Sequence, residues 1–270
     1  MKFQTNIDII SPNFSFKPCE RVLFVGSCFA DNIGKRFKEE KFRTIVNPFG
    51  VMYNPVSILH TVRKLSNQAF DIVVFTLGTN HVYIEKATGE IVDNCQKRPQ
   101  KLFNEQELTI DEAANALREA IHLLRKQNPN VKVIVTVSPI RYAKYGFHGS
   151  QLSKATLLLA ADKIAREEGE AVYYFPAYEI VNDELRDYRF YKADMLHPND
   201  QAVEYIWERL VATCFSSEAK KFLEAWRPIK EALGHRPFNP DSEAYWLFMQ
   251  KTKEKIQWLK QLYPDLELDE

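Results

Sequence analysis

The sequence predicts an α/β protein in which helices cover both faces of a parallel β-sheet. Short apolar runs alternate with helical patterns over residues 1–215. Strands that alternate with helices form parallel βαβ units, and the crossovers place helices on both faces. After residue 215 helical patterns continue without strands. We therefore expect one α/β domain over residues 1–215 and a helical extension packed on it over residues 216–270.

The first strand is predicted over residues 21–25, where an apolar run ends at a glycine. A helical pattern follows over residues 28–40, so the chain turns at Gly26 and places Ser27 and Cys28 at the start of a helix. The first backbone N–H groups of a helix lack partners and suit an anion or a developing oxyanion. The turn is therefore a candidate reaction site, although a turn of small residues with an inert cysteine has the same pattern.

The later elements follow from the same periodicities. A hairpin is predicted from residues 82–84 and 91–92, and Thr109 with Glu112 forms a capping box that opens a long helix. Buried strands are predicted over residues 42–46, 71–77, 131–137 and 171–175. Further helices are predicted from residue 54, over residues 150–168 and after Pro198.

The composition excludes several classes of partner. The chain of 270 residues carries 36 basic and 36 acidic side chains. A net charge of zero gives no electrostatic basis for binding nucleic acid or an anionic membrane surface. Neither a signal peptide nor an apolar run of membrane-spanning length is found. We therefore expect a cytoplasmic protein with a small-molecule partner, and the sequence indicates no oligomeric state.

Cysteine and histidine patterns predict neither disulfides nor a cofactor. The four cysteines show no CxxC pairing, so without an export signal we expect reduced thiols. The six histidines form no HExxH or comparable pattern, so we expect no metal site. The cysteines are Cys19, Cys28, Cys95 and Cys214.

Polar motifs follow each predicted strand of the sheet. In parallel sheets ligands bind beyond the carboxyl ends of the strands. Because these ends share one edge, the sequence predicts that the motifs converge on a common site. They are Ser27 and Cys28, Asn47 and Gly50, Gly78 and Asn80, Ser138 and Arg141, and Asp194 and His197.

Asp194 and His197 supply the acid–base pair that a nucleophile requires. A nucleophile needs a base within hydrogen-bond reach, and the base needs a group that orients it. A spacing of three residues lets the carboxylate contact one ring nitrogen while the other faces the nucleophile. A structural histidine near a helix start is the simpler alternative.

Several long motifs resemble one protein family. They are GSCFA at residues 26–30, NPFGVMYNP, TLGT, NCQKRP, SPIRY and ELRDYRFYKADMLHP. These segments resemble the GSCFA-domain family, which is similar to the SGNH/GDSL hydrolases. The resemblance implies a flavodoxin-like three-layer sandwich with a short parallel sheet. It also implies a hydrolase or acyltransferase that acts on a small O-acyl ester or a thioester through a covalent acyl-enzyme.

The resemblance assigns roles to individual residues. Gly50 matches the glycine of the second SGNH block, Gly78-Thr79-Asn80 matches Gly-x-Asn, and Asp194 with His197 matches the last block. The implied oxyanion donors are the backbone N–H groups of Cys28 and Gly50 and the side chain of Asn80. Asn94 is a competing donor, and Asn80 could instead cap its own loop.

The nucleophile block departs from the SGNH pattern. A register without gaps places Ser27 where these hydrolases have aspartate and Cys28 where they have the nucleophilic serine. Either Cys28 is the nucleophile, or Ser27 has taken over in a shifted turn, and the sequence leaves both possibilities open.

Three basic residues could hold an anionic part of the substrate, because Arg suits carboxylate or phosphate. They are Lys97, Arg98 and Arg141, and their alternative role is that of solvated surface charges. The expected substrate is a small-molecule or carbohydrate acyl compound. The competing function is a non-catalytic ligand-binding module that retains the pocket. A nucleotide-binding domain is disfavoured because neither a P-loop nor GxGxxG follows the first strand.

Overall fold

A parallel sheet of five strands forms the centre of the molecule, which a computed structural model describes over residues 4–65, 68–95 and 98–268. The strands of the chain are β1 (Arg21–Gly26), β2 (Arg43–Val46), β3 (Ile72–Leu77), β4 (His81–Glu85), β5 (Ile91–Val92), β6 (Phe103–Glu107), β7 (Lys132–Val137) and β8 (Val172–Tyr174). The central sheet has the order β2-β1-β3-β7-β8 and all its pairs are parallel.

Helices cover both faces of this sheet. They are α1 (Cys28–Glu39), α2 (Pro55–Lys64), α3 (Ile110–Gln127), α4 (Gly146–Glu168), α5 (Ala177–Glu179), α6 (Asp200–Cys214), α7 (Ser217–Gly234) and α8 (Glu243–Leu262). Side chains alternate along β1, so Val22 and Phe24 join a core with α1 and α6. Leu23 and Val25 join a second core with α2, α3 and α4. The predicted α/β architecture with helices on both faces is confirmed.

The predicted helix starts are confirmed by their caps. The Asn54 side chain accepts the Ser57 N–H at 2.9 Å and caps α2. Thr109 and Glu112 bond each other's backbone N–H groups at 3.2 and 2.8 Å and form the capping box of α3. These bonds satisfy N–H groups that have no partner within their helices.

A second, antiparallel sheet lies beyond the end of β3. Its order is β5-β4-β6, and β4 with β5 is the predicted hairpin. The third strand, β6, was not predicted from the sequence. Only Phe103 of its five residues is buried, so the segment lacks the apolar alternation that marks a strand.

Helix α4 begins at Gly146, four residues before the predicted start at residue 150. Gly146 and Gly149 favoured a loop in the sequence. Gly146 adopts φ +67°, a conformation open to glycine at little cost, and the helix continues directly from it.

The C-terminal helices share the core of the α/β domain. On α7, Phe222, Trp226 and Ile229 are buried in the same cluster as Phe37. The Trp226 indole N–H donates to the Glu39 carbonyl at 3.0 Å, at the end of α1. Within the described ranges, no helix has the length and apolarity needed to cross a membrane.

Candidate active site

The strand-to-helix turn after β1 depends on a glycine. Gly26 has φ +147°, and a Cβ placed on it would lie 2.2 Å from the carbonyl oxygen of Thr76 on β3. A side chain at this position would force β1 and β3 apart. The glycine thus lets the chain leave the sheet immediately beside β3.

Ser27 is buried and its hydroxyl has a structural role. Its exposure is 0%, and its Oγ accepts the Phe29 N–H at 3.3 Å as the N-cap of α1. The same oxygen lies 3.2 Å from Oγ1 of Thr76. Acylation of Ser27 would disrupt this cap and would place the acyl group in the core.

Cys28 is the first residue of α1 and is only half-buried. Its thiol lies 4.0 Å from the phenol oxygen of Tyr53. The backbone N–H of a first helical residue has no carbonyl partner within the helix. Cys28 therefore offers a nucleophile and a backbone donor at the same corner of the sheet.

An asparagine after β2 supports the turn. The Asn47 side-chain oxygen accepts the Gly26 N–H at 2.9 Å, and its amide donates to Asp31 on α1 at 2.7 Å. Asn47 has φ +41°, a conformation that asparagine tolerates better than most residues. The bonds tie the end of β2 to the turn that carries Cys28.

Two of the expected oxyanion donors make hydrogen bonds to backbone carbonyls. The Gly50 N–H donates to the Asn47 carbonyl at 2.9 Å and closes a turn. The Asn80 side-chain N–H₂ donates to the Leu108 carbonyl at 2.9 Å, so it fixes its own loop. Both groups match SGNH blocks by position, but local turn geometry engages each of them.

Gly78 lies beside the turn, where it supports a tyrosine. Its N–H and that of Thr79 donate to the Tyr53 carbonyl at 2.9 and 2.8 Å. A Cβ on Gly78 would lie 2.5 Å from the Tyr142 hydroxyl and 3.3 Å from Cβ of Ser27. Gly78 thus brings both tyrosines against the nucleophile turn.

Asp194 and His197 form the predicted pair. Nδ1 of His197 lies 2.7 Å from Oδ2 of Asp194, and Oδ1 of Asp194 accepts the backbone N–H groups of His197 and Leu196 at 3.0 and 2.8 Å. These backbone bonds, followed by the imidazole, lower the pKa of Asp194 to about 2. The ionised carboxylate fixes the ring and leaves Nε2 for a reacting group.

The hydrogen bonds of the described residues do not join His197 to Cys28. The loop of His197 is instead tied to the end of β7, because the Arg141 N–H donates to the Leu196 carbonyl at 3.0 Å. Catalytic hydrogen bonds often close only when substrate is bound. Cys28 therefore follows the carboxyl end of β1, and the loop of Asp194 and His197 is bonded to the carboxyl end of β7, at the same edge of the parallel sheet.

Arg141 anchors this loop, whereas the sequence left open either an anion-binding group or a solvated surface charge. Its guanidinium donates to the Met195 carbonyl at 3.0 Å and stacks 4.1 Å from the Phe147 ring centre. Arginine stacks readily on aromatic faces because its charge is delocalised. Arg141 thus positions the Asp194–His197 loop.

A cavity of about 390 Å³ lies next to Tyr53 and extends to the small sheet. Tyr53, Tyr142, His81 and Tyr145 line it, and the rings of His81 and Tyr145 stack 3.6 Å apart. The remaining lining residues are Asn54, Thr79, Tyr83, Val92, Asp93, Asn94, Cys95, Arg98, Gln100 and Lys144. This volume is typical of a small-molecule pocket.

The polar segment after β5 contributes to this cavity. Asn94 and Arg98 line it, and they also line a wider cavity of about 1050 Å³ beside it. Arg98 donates to Glu85 at 2.5 Å and stacks 4.8 Å from the Phe103 ring centre, so its charge is compensated. Lys97 lies outside the described residues.

A buried lysine under the site was not predicted. Lys154 of α4 is 2% exposed, and its Nζ donates to the carbonyls of Gly78 at 2.6 Å and Ser138 at 2.7 Å. It joins the carboxyl ends of β3 and β7, and burial lowers its pKa to about 7. The sequence did indicate a buried lysine, because Lys154 lies at helical spacing among small and apolar residues. These residues are Ser150, Ser153, Leu157 and Ala161.

Comparisons with known proteins match most of the chain. A family model described as the GSCFA family matches residues 21–71 and 61–210. A second, described as the C-terminal domain of GSCFA domain proteins, matches residues 226–270. No curated protein matches the chain.

Solved structures resemble the fold at low sequence identity. A Streptococcus pneumonia protein described as a platelet activating factor is 15% identical with a TM-score of 0.50, over 74% of this chain and 85% of that chain. An acetylxylan esterase variant from Geobacillus stearothermophilus is 15% identical with a TM-score of 0.48, over 75% and 98%. A carbohydrate esterase family 3 protein from Talaromyces cellulolyticus is 14% identical with a TM-score of 0.46, over 76% and 98%. At a TM-score of 0.50, the similarity to the Streptococcus pneumonia protein is one of fold.

Proposed function

This chain belongs to the GSCFA family, as its motifs predicted, and we propose that it is an acyl hydrolase or acyltransferase that forms a covalent acyl-enzyme on Cys28. The observation that carries the proposal is the contrast between two neighbouring side chains. The Ser27 hydroxyl is buried and caps α1, whereas the Cys28 thiol is half-buried at the first turn of the same helix.

The general base in this proposal is His197, oriented by Asp194. An ionised carboxylate only accepts hydrogen bonds, so the 2.7 Å contact between Asp194 and Nδ1 of His197 supports a ring proton on Nδ1 and a basic Nε2. Asp194 stays ionised and stabilises the imidazolium that forms during the reaction.

The reaction has two balanced halves. His197 takes the thiol proton, the Cys28 sulfur forms a bond to the ester carbonyl carbon, and the carbonyl π pair moves to oxygen. When that pair returns, the carbon–oxygen bond to the alcohol breaks, and the alkoxide takes the proton from His197. Water or an acceptor alcohol then attacks the thioester in the same way, His197 takes its proton, and the sulfur leaves and is reprotonated.

We propose that the cavity beside Tyr53 takes the alcohol part of the substrate. Its cationic lining groups are compensated, since Arg98 contacts Glu85 and Lys144 contacts Glu105 at 3.0 Å. Tyrosine side chains line it, and within the described residues Nδ1 of buried His81 makes no hydrogen bond, with a Glu105 carboxylate oxygen 3.4 Å away. These features suit an uncharged ring that carries hydroxyl groups, such as a sugar ester, better than an anion.

A burst of product release tests the proposal. We would mix the protein with p-nitrophenyl acetate and follow nitrophenol release before the steady state. The proposal expects a burst of about one equivalent per chain, because an activated aryl ester acylates the thiol faster than the thioester is hydrolysed. His197→Ala should abolish the burst, whereas His148→Ala, a change at an exposed histidine of α4, should leave it intact.

The binding-module alternative gives the opposite result. A protein that only binds would show no burst with oxygen esters or thioesters. It would also keep its affinity for a ligand in Cys28→Ala and His197→Ala.

A further inference from the structure

The proposed reaction needs more than one oxyanion donor. When the acyl carbon becomes tetrahedral, its oxygen carries negative charge and needs preorganised donors. The Cys28 N–H is one such group, but the Gly50 N–H donates to the Asn47 carbonyl, and the Asn80 amide donates one of its two N–H bonds to the Leu108 carbonyl. A donor that lies directly against the thiol would complete the site.

The Tyr53 hydroxyl lies where this donor would act. Its oxygen is 4.0 Å from Sγ of Cys28, which is long for a direct hydrogen bond. The separation leaves room for an oxygen on the carbon bound to sulfur to accept a hydrogen bond from the phenol. Burial, followed by the nearby Cys28, raises the pKa of Tyr53 to about 12, so the phenol keeps its proton at neutral pH.

The surrounding structure fixes Tyr53 from its backbone and from its ring. Its carbonyl accepts the N–H groups of both Gly78 and Thr79, and the Gly78 carbonyl accepts the Lys154 ammonium at 2.6 Å. Its ring packs edge-to-face on Tyr142, with centres 6.2 Å apart. Because the donor is held before substrate arrives, it needs little reorganisation during the reaction.

We propose that Tyr53 is a catalytic residue whose hydroxyl donates a hydrogen bond to the acyl carbonyl oxygen while that oxygen is negatively charged. The inference rests on the acyl-transfer function proposed above. Tyr53 keeps its proton throughout, since His197 carries the proton between the thiol and the leaving alcohol. The Gly78-Thr79 motif then serves the oxyanion indirectly, because its N–H groups hold Tyr53.

Two reactions of the same thiol test this role. Acylation by p-nitrophenyl acetate passes through an oxyanion, whereas alkylation by iodoacetamide does not. Because Cys19 and Cys95 are also half-buried free thiols, both rates at Cys28 would be measured from the mass of the digested peptide that contains it, in wild type, Tyr53→Phe, Tyr142→Phe and Tyr263→Phe. We expect Tyr53→Phe to slow acylation about 10²- to 10³-fold and to leave alkylation within about twofold of wild type. Tyr263→Phe, in the C-terminal extension, should change neither rate.

The alternative outcomes show whether the role of Tyr53 or the proposed function is wrong. Equal acylation of wild type and Tyr53→Phe overturns the role of Tyr53, as does an equal loss in both reactions. A loss confined to Tyr142→Phe would assign the donor to Tyr142 instead. Wild type that is alkylated but never acylated would overturn the proposed function itself.

A second variant serves if Tyr53→Phe does not fold. With 3,5-difluorotyrosine at position 53 the ring keeps its shape, but the phenol ionises at lower pH. The alkaline loss of acylation should move to lower pH with it, and an unchanged pH profile would overturn the proposal.

Discussion

The hydroxyl oxygens of Ser27 and Thr76 lie 3.2 Å apart in the interior, between the start of α1 and β3. Both residues are almost fully buried, at 0% and 1% exposure. The Ser27 oxygen also accepts the Phe29 N–H, so the hydroxyl stabilises the start of α1. The structure therefore separates the two candidate nucleophiles of the turn into a structural serine and an accessible cysteine.

Ser27→Ala should cost stability and spare the chemistry. Removing an N-cap side chain destabilises a protein by about 1 kcal/mol, and urea unfolding would measure the loss. Ser216→Ala is the matched control, because Ser216 caps α7 by accepting the Ala219 N–H at 3.0 Å. A folded Ser27→Ala protein that cannot be acylated would contradict the structural role of this serine.

Asp194→Asn should slow acylation about 10²- to 10⁴-fold. The amide oxygen or nitrogen would face Nδ1 of His197 without the charge that stabilises the imidazolium. Single-turnover rates with an aryl ester would measure the effect. Asp183→Asn, at an exposed position 4.0 Å from Arg186, is the control and should react like wild type.

The pH dependence of acylation should exclude Asp194 as the group that titrates near neutrality. Its folded pKa of about 2 lies below the ordinary value of about 3.9. The stability that it contributes is present above about pH 4 and is lost as pH falls through 2. A loss of acylation between pH 5 and 7 in wild type should therefore come from another group. A carboxyl carbon-13 NMR titration of Asp194 with a midpoint between pH 5 and 7 would contradict this.

Comparison with Lys154→Met should show how much folding free energy is lost by burying the charged Lys154, and how this loss depends on pH. The folded pKa of about 7 lies below the ordinary value of 10.5, so the unfolded chain binds one more proton between these values. The cost is greatest below pH 7 and shrinks as pH rises towards 10.5. The free energy of unfolding of wild type relative to Lys154→Met should thus rise over this range, by at most about 1.4 kcal/mol per pH unit.

Denaturant unfolding at pH 6, 8 and 10 would measure this trend. Lys126→Met, at an exposed position of α3, should show no comparable pH dependence. A difference between wild type and Lys154→Met that stays flat with pH would contradict a lowered pKa for Lys154.

Much of the fold was predictable because the spacing of apolar residues and the residues at turns and helix caps indicate the same strands and helices. β3 is a run of six buried residues, and Thr109 with Glu112 marks the start of α3. β6 escaped prediction because four of its five residues face solvent. The division between residues 215 and 216 stays a prediction, since α7 places Trp226 in the core of the first domain.

The sequence predicted which residues lie at the site, but it did not predict which groups their side chains contact. The sequence located the Asp194–His197 pair because both members lie in one short loop. It could not show that Asn80 turns towards Leu108, since an asparagine can cap a loop or face a ligand. Tyr53 and Tyr142 escaped attention because a lone aromatic residue in a loop looks like a packing residue.

Intact-mass trapping of the acyl-enzyme tests the central claim most directly. Wild type, Ser27→Ala, Cys28→Ala and Cys28→Ser would be mixed with an activated acetyl ester, quenched in acid and weighed. We expect one acetyl group on wild type and on Ser27→Ala, none on Cys28→Ala, and release of the adduct by hydroxylamine as for a thioester. An acetyl adduct on Cys28→Ala, or its absence from every protein, would contradict the assignment of Cys28 as the nucleophile.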